Sequence, residues 1–304
     1  MSPSGTPLDP TRRDLLRLAA CGSLFPVAAR AQLRGDLRVF VAAETAQHAA
    51  LVHALRVRWP SVTTYSDTST APRGSTAPLA YAAIGPRALA QALRFALDAP
   101  LIAALVSRQA YTQIVETDVR PTRGVTAVYA EAAPAHQMRT VAAVMRRSVT
   151  VGAFISERTR HMESPLTNAA EAAGLTAAVQ TYDPAIGMSR NLLRLAAADA
   201  LLIYPDSDIF TPDSLRELLE STYRRRQPVF GFSEALVNAG TLASAFSAPD
   251  DLAAHIAELL GAVAAGRLPQ PQYPRYWRVA INDSVARSLD IVIDGSVRSL
   301  GDRP

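Results

Sequence analysis

Apolar and polar residues alternate along the chain in blocks that predict strands and helices in turn. Continuous apolar runs at residues 37–42, 77–84 and 100–106 are typical of strands buried on both faces. The segments between them have the apolar period of amphipathic helices. This alternation predicts parallel sheets covered by helices on both sides. Because the pattern restarts near residue 131, we expect an α/β protein of two doubly wound, Rossmann-like lobes.

The last sixty residues do not simply complete the second lobe. A strand is predicted at 241–246 and a helix at 249–265, followed by a proline-rich connector at 266–276. A further strand at 277–282 and a short helix at 283–289 complete the pattern. Periodicity alone does not say to which lobe these elements belong.

The N-terminal segment has the features of an export signal. The stretch TRRDLLR at 11–17 resembles the twin-arginine signal, an apolar stretch follows at 18–29, and Ala29-Arg30-Ala31 matches a cleavage site. We therefore expect residues 1–31 to be a signal peptide, cleaved near Ala31, that directs the mature chain to the periplasm.

Cys21 offers an alternative, because LAAC at 18–21 also fits a lipoprotein acylation box. The apolar run before it, 15–20, is short and is interrupted by Arg17. Cleavage near Ala31 is therefore favoured, and it leaves the mature chain without a cysteine, a disulfide or a thiol nucleophile.

Composition excludes several classes of function. All 31 basic residues are arginines, so a Schiff-base lysine and a lysine-bearing phosphate loop are absent. Half of the formal net charge of +4 lies in residues 1–31, and no arginine-rich face with interleaved aromatic residues follows. A nucleic-acid partner is therefore not expected. After the signal, no apolar run approaches the length that crosses a bilayer.

Polar residues follow the predicted strands at their carboxyl ends, the edge at which α/β sheets bind ligands. Each could instead cap the next helix or face solvent, and a cap and a ligand contact can coexist. Taken together they predict a binding rim between the lobes. The candidates are Glu44, Thr45, Gly85, Ser107, Arg108, Ser156, Glu157, Asp206, Ser207, Ser233 and Glu234.

Four segments resemble, in order, those of a family of ABC-transporter substrate-binding proteins. They are LAYAAIGPRALAQALRFALDAPLIAALVS from residue 79, DALLIYPDSDIF from 199, PVFGFSEALVNAGTLASAFS from 228 and VAINDSVARSLDI from 279. The resemblance covers residues 37–293. It implies the type I periplasmic binding-protein fold, in which two lobes joined by three crossovers close over a ligand.

The resemblance also implies a division of the chain and a role. Lobe 1 is expected to comprise 35–130 and 239–268, and lobe 2 to comprise 131–238 and 269–304. The implied function is to capture a small molecule and deliver it to an ABC-transporter permease in the inner membrane. The alternative is a ligand-binding sensor for a membrane receptor. We expect a monomer without a cofactor.

Two segments depart from the family pattern, ISERTR at 155–160 and VSRQAYTQ at 106–113, where ligand contacts are expected. Some members of the family bind aromatic amino acids. In this chain, Arg108 could clamp a carboxylate, and Asp206 and Glu234 could accept an ammonium group. Aromatic walls would come from Tyr111, Tyr204 and Phe232. These residues favour an amino acid or a similar small zwitterion.

Enzymatic function is not expected. Glu157, Asp206 and Glu234 could supply paired carboxylates of a glycosidase, but the sequence does not show their separation. His48 and His53 are five residues apart, off a shared helical face, so a metal pair is not predicted. The chain also lacks a Gly-x-Ser-x-Gly elbow.

Overall fold

A computed structural model describes residues 35–42, 45–66, 76–117 and 124–304. The predicted signal peptide 1–31, with Cys21, and the candidate Glu44 lie outside these residues. The described residues form one compact unit. Among the described residues, no helix is long and apolar enough to cross a membrane.

Twelve strands form two sheets in the described part of the chain. They are β1 (Leu37–Val41), β2 (Val62–Tyr65), β3 (Ala80–Ile84), β4 (Leu101–Val106), β5 (Val125–Tyr129), β6 (Thr150–Ile155), β7 (Thr176–Thr181), β8 (Ala200–Leu202), β9 (Val229–Gly231), β10 (Ala243–Phe246), β11 (Trp277–Ile281) and β12 (Gly301–Asp302).

Eleven α-helices are described besides a short 3₁₀ turn at Arg160–Met162. They are α1 (Ala46–Arg58), α2 (Pro86–Ala92), α3 (Arg108–Thr117), α4 (Pro134–Met145), α5 (Glu163–Ala172), α6 (Gly187–Leu193), α7 (Pro212–Arg224), α8 (Glu234–Ala239), α9 (Pro249–Ala264), α10 (Asp283–Ser288) and α11 (Gly295–Ser299).

The first sheet is parallel, in the order β2-β1-β3-β4-β5. Every residue of β1, β3 and β4 is buried, as expected for strands that are covered by helices on both faces. This is a doubly wound order, and its carboxyl edge is where such sheets hold ligands.

The second sheet has seven strands in the order β12-β11-β10-β9-β8-β6-β7. Its strands β6 to β10 are parallel, but β11 pairs antiparallel with β10, and β12 pairs antiparallel with β11. The parallel pairing predicted from the apolar runs therefore holds for β6 to β10, and the two C-terminal strands add antiparallel pairs. Strand β10 ends at the carboxyl edge, where the chain leaves for the first sheet. Because β11 re-enters from that same edge, it must run the opposite way.

The chain passes between the sheets three times, as the resemblance implies, and each sheet with its helices forms one lobe. The connections lie between β5 and α4, between β10 and α9, and between α9 and β11. Helix α9 packs against α1 of the first lobe. Strand β10, however, pairs with β9 and β11 in the second sheet. Its predicted place in lobe 1 was wrong, because the crossover follows β10 rather than preceding it.

Buried side-chain contacts stabilise the connections between the two lobes. The Trp277 side chain is fully buried and stacks on the His136 ring at 4.5 Å between centroids, and its Nε1 donates to Asp302 Oδ2 at 2.8 Å. Two nitrogens of Arg278, on β11, donate to the two carboxylate oxygens of Asp251, on α9, both at 2.7 Å. A paired, charge-assisted contact thus links a helix of one lobe to a strand of the other.

Candidate ligand-binding cavity

A cavity of about 500 Å³ lies where the carboxyl ends of the two sheets face each other. This volume is within the range of small-molecule sites. Both lobes and the connections between them contribute to its lining. The lining residues are Gln47, Ser107, Ala130, Glu131, Pro205, Phe232, Ser233, Glu234, Ala235, Asn238, Phe246, Ser247 and Pro249.

Ser233 both caps a helix and lines the cavity. Its hydroxyl accepts a hydrogen bond from the backbone N–H of Leu236 at 3.3 Å, at the start of α8. Glu234 follows in the first turn, exposed at the cavity rim. Gly231 brings α8 close to its strand, because a Cβ at this position would lie 2.8 Å from Cβ of Leu236.

Ser107 reaches the cavity from the opposite lobe. Its Oγ accepts a hydrogen bond from the Ala110 N–H at 3.2 Å, at the start of α3. Just before it, β4 contains a bulge at Leu105, whose φ is +53°. A bulge bends a strand and changes the direction of the residues that follow. The strand thus ends with Ser107 in the lining and α3 starting at Arg108.

Glu131, which is not among the residues predicted from the sequence, lines the cavity from the first connection. It is 1% exposed, and its Oε1 accepts a hydrogen bond from the Arg108 backbone N–H at 3.0 Å. Its Oε2 has no hydrogen-bond partner among the described residues. Burial raises the pKa of Glu131 to about 7, against the lowering effect of backbone N–H groups and the Arg108 charge. The available signal in the sequence was the run GVTAVYAE at 124–131, an apolar run of the kind typical of a buried strand, which ends on this carboxylate.

The guanidinium of Arg108 belongs to a cluster of aromatic side chains and is not part of the cavity lining. Its Nη1 donates to the hydroxyl oxygen of Tyr273 at 3.2 Å and contacts Sδ of Met162 at 3.6 Å. Tyr273 also accepts a hydrogen bond from the Tyr204 hydroxyl at 2.9 Å. Burial raises the pKa of Tyr204 well above its ordinary value. The carboxylate clamp by Arg108 stays a prediction.

Asp206 is buried and fully engaged within the protein. Its Oδ1 accepts hydrogen bonds from Gln109 Nε2 at 3.1 Å and from the Asp208 N–H at 3.0 Å. Its Oδ2 accepts from the Ser156 N–H at 3.0 Å and from the Thr159 hydroxyl. Asp206 and Ser156 therefore hold the end of β6 to the end of β8.

Gln109 connects this group to the first lobe. Its Oε1 accepts hydrogen bonds from the Ser207 N–H at 2.9 Å and from the Ser207 hydroxyl at 3.3 Å. Since Gln109 lies on α3 and Ser207 follows β8, the amide bridges the cleft. Three predicted residues, Ser156, Asp206 and Ser207, thus come together beside the cavity without lining it.

Three further candidates have other surroundings. Thr45 is exposed and caps α1, accepting from the His48 N–H at 3.2 Å. Gly85 precedes α2 with a φ of +88°, and a Cβ there would lie 3.1 Å from the His48 ring. Glu157 is exposed and forms an ion pair with Arg160. None of the three lines the cavity.

No metal-binding group of three or more His, Cys, Asp or Glu side chains occurs in the described ranges. The ionisable residues that line the cavity are Glu131, at the first connection, and Glu234, at the start of α8. The lining residues offer a small molecule both polar contacts and apolar surface, which is typical of small-molecule binding sites.

Solved structures share this architecture. A ligand-free, open structure of a substrate-binding protein with adhesive properties from Clostridium difficile superposes with a TM-score of 0.62 and 13% identity, over 87% of this chain and 98% of that one. The chain has the fold of the type I periplasmic substrate-binding proteins. The predicted fold is thereby confirmed.

Two other structures agree on the type I fold. An ABC domain in complex with L-tryptophan from Streptococcus pneumonia has a TM-score of 0.56 and 18% identity, over 86% of this chain and 97% of that one. A conserved domain protein from Vibrio cholerae has a TM-score of 0.56 and 14% identity, over 86% and 96%. The sequence matches no protein-family model and no curated protein.

Proposed function

We propose that the chain is a substrate-binding protein that holds a small molecule between its lobes for an ABC transporter. The observation that carries this proposal is the cavity of about 500 Å³ at the facing carboxyl edges of the two sheets. Doubly wound sheets bind ligands at this edge. Lining residues from both lobes, such as Ser107 and Ser233, would let one molecule contact both.

A ligand that contacts both lobes can shift the protein from an open to a closed arrangement. A ligand stabilises a closed state only through interactions that the open state lacks. The hydrogen bond that Gln109 donates to Asp206 and the one that it accepts from the Ser207 N–H likewise require the lobes to be close. Ligand binding and this bridge should therefore favour the same arrangement, which a permease can distinguish from the open one.

The role in transport requires the chain to lie outside the cytoplasm. The twin-arginine-like stretch at 11–17 and the cleavage pattern at 29–31 support export to the periplasm and processing before Gln32. We propose that the mature chain is a periplasmic monomer, which binds its small-molecule ligand there and delivers it to the permease.

A thermal-shift screen of the chain from Gln32 against amino acids, nucleosides, sugars, amines and small carboxylates tests the proposal. A ligand at a hundred times its dissociation constant should add about 2.7 kcal/mol to the free energy of unfolding. The radius of gyration should fall when that ligand binds. If no class of compound stabilises the chain, it is not a small-molecule carrier.

Delivery is tested separately. Cells that lack the chain should lose uptake of the radiolabelled compound, and export of the chain with its own signal should restore it. Intact uptake, together with a lost transcriptional response to the compound, would instead favour the sensor alternative.

A further inference from the structure

The ionisable side chains in the cavity lining all carry the same sign of charge. Among the described residues that line it, these are Glu131 and Glu234, and none is basic. Glu131 is at the connection and Glu234 at the start of α8, so the two carboxylates approach the cavity from different elements. A bound anion would meet acidic groups without a neutralising partner, at a cost in free energy.

One of these carboxylates has unused hydrogen-bonding capacity. Glu131 is 1% exposed and uses Oε1 for the Arg108 N–H, whereas Oε2 has no partner among the described residues. Leaving a buried acceptor unpaired is unfavourable, and for a charged group the penalty is larger. A ligand that donates a hydrogen bond to Oε2 would remove this penalty.

In the part of the chain that the structure describes, the Glu131 carboxylate forms no ion pair. Arg108, on α3, contacts it through the backbone, while its guanidinium lies on Tyr273. Tyr129, on β5, and Tyr204, after β8, are the other titratable groups whose charges interact with it. Burial outweighs the Arg108 charge, so that the pKa of Glu131 is raised to about 7.

The remaining lining residues determine what kind of ligand body can carry the hydrogen-bond donor. Phe232, Phe246, Pro205 and Ala130 supply apolar surface, and the polar residues among the others are uncharged apart from Glu234. Apolar walls with a few polar groups select for a mainly apolar body with a small polar end.

We propose that the cavity recognises a small organic cation, a protonated amine beside an apolar part, with Glu131 as the residue that receives the ammonium group. Glu234 supplies a second, exposed negative charge at the rim. This inference rests on the proposed function and adds a ligand class to it. An amino acid fits through its ammonium group, whereas a simple carboxylate does not.

The test uses four probes that share a phenylethyl body and differ in charge: 2-phenylethylamine, L-phenylalanine, 3-phenylpropanoate and 2-phenylethanol. The same four charge classes on alkyl and cyclohexyl bodies cover differences in shape. Calorimetry with the chain from Gln32 should show binding of the ammonium-bearing probes at least tenfold tighter than that of their anionic and neutral counterparts. Glu131→Gln should remove at least tenfold of this affinity, and Glu171→Gln, a change at an exposed carboxylate on α5 outside the cavity, should not alter it.

A second readout separates recognition from a merely structural role. At pH 6, Glu131 is largely protonated in the free protein, so an ammonium ligand must displace its proton. Titrations in two buffers of different ionisation enthalpy should show proton release by the natural chain and none by Glu131→Gln. Thermal melts confirm that the variant is folded.

Three results would contradict the inference. If anionic or neutral probes bind as tightly as the amines, or if Glu131→Gln binds amines unchanged and with the same proton release, the cation assignment is wrong while the carrier function stands. If none of the probes and none of the compounds of the wider screen binds, the proposed function falls and the cation assignment falls with it.

Discussion

Gln109 and Asp206 join the two lobes through a side-chain hydrogen bond of 3.1 Å, from Nε2 to Oδ1. Gln109 is 7% exposed and belongs to α3, whereas Asp206 is 5% exposed and follows β8. The other end of the same amide accepts from Ser207. Because both ends are used, the bridge has a defined orientation and exists only when the lobes approach.

Gln109→Ala should therefore shift the ligand-free protein toward an open arrangement. Hydrogen bonds of this kind contribute about 1 kcal/mol each, so the ratio of closed to open molecules should fall about five- to thirtyfold. Small-angle scattering should show a larger radius of gyration. Gln113→Ala, at an exposed position on the same helix, is the matched control. Equal radii for both variants and the natural chain would show that the bridge does not hold the lobes.

The stability of the protein should depend on pH through Glu131. Its pKa is raised from 4.5 to about 7, so between these values the folded state binds more protons than the unfolded state. The protonated carboxyl contributes stability that is fully present below about pH 4.5 and is lost as the pH rises to 7, a change on the order of 3 kcal/mol. Glu131→Gln should remove this loss, and it should exceed the natural chain in stability at pH 8 but not at pH 4.5.

Urea denaturation at these two pH values measures the effect. Glu157→Gln, at an exposed carboxylate, should leave the pH dependence unchanged. A Glu131→Gln variant that follows the natural chain in parallel from pH 4.5 to 8 would mean that Glu131 titrates normally.

Gly231→Ala should destabilise the second lobe and displace α8 from the cavity. An added Cβ would meet Cβ of Leu236 at 2.8 Å and Oγ1 of Thr241 at 2.9 Å. Overpacking of this kind costs about 1–3 kcal/mol. Gly295→Ala is the control, because no atom lies within 4 Å of its added Cβ. The denaturation midpoints of the two variants are compared. Equal midpoints would show that α8 and its strand move apart to accommodate the added Cβ without a loss of stability.

Export and processing are tested at the N-terminus of the periplasmic protein. Mass spectrometry should find that the mature chain starts at or near Gln32, after Ala29-Arg30-Ala31. Replacing Arg12 and Arg13 by alanine should leave the chain unprocessed in the cytoplasm. A lipid-modified Cys21 at the mature terminus would instead make the protein a membrane-anchored lipoprotein.

Much of the fold follows from apolar patterning, because a buried parallel strand and an amphipathic helix have distinct periods. The predicted helix 249–265 differs from α9 by one residue, and the predicted helix 283–289 differs from α10 by one residue. Helix α3 was missed: Arg108–Thr117 is polar and contains β-branched residues, and it follows a strand whose bulge is invisible in the sequence. The direction of β11 depends on the place where the chain re-enters the sheet, which no local pattern encodes.

The sequence predicted where the candidate site lies better than it predicted which residues line it. The rule that ligands bind at the carboxyl ends of strands selected Ser107 and Ser233, and both line the cavity. It could not say that Asp206 uses both oxygens within the protein or that the Arg108 side chain lies on Tyr273. Glu131 was passed over because the burial of a carboxylate depends on packing across the connection.

Calorimetry of a cavity-filling variant tests most directly whether the ligand binds between the lobes. Ala235 lines the cavity on the exposed side of α8, and Ala239 lies on the same helix, exposed and outside the lining. For a compound that binds the natural chain, Ala235→Trp should abolish binding because the indole occupies the cavity, while Ala239→Trp should bind as the natural chain does. Unchanged affinity in a folded Ala235→Trp variant would place the ligand elsewhere and contradict the account.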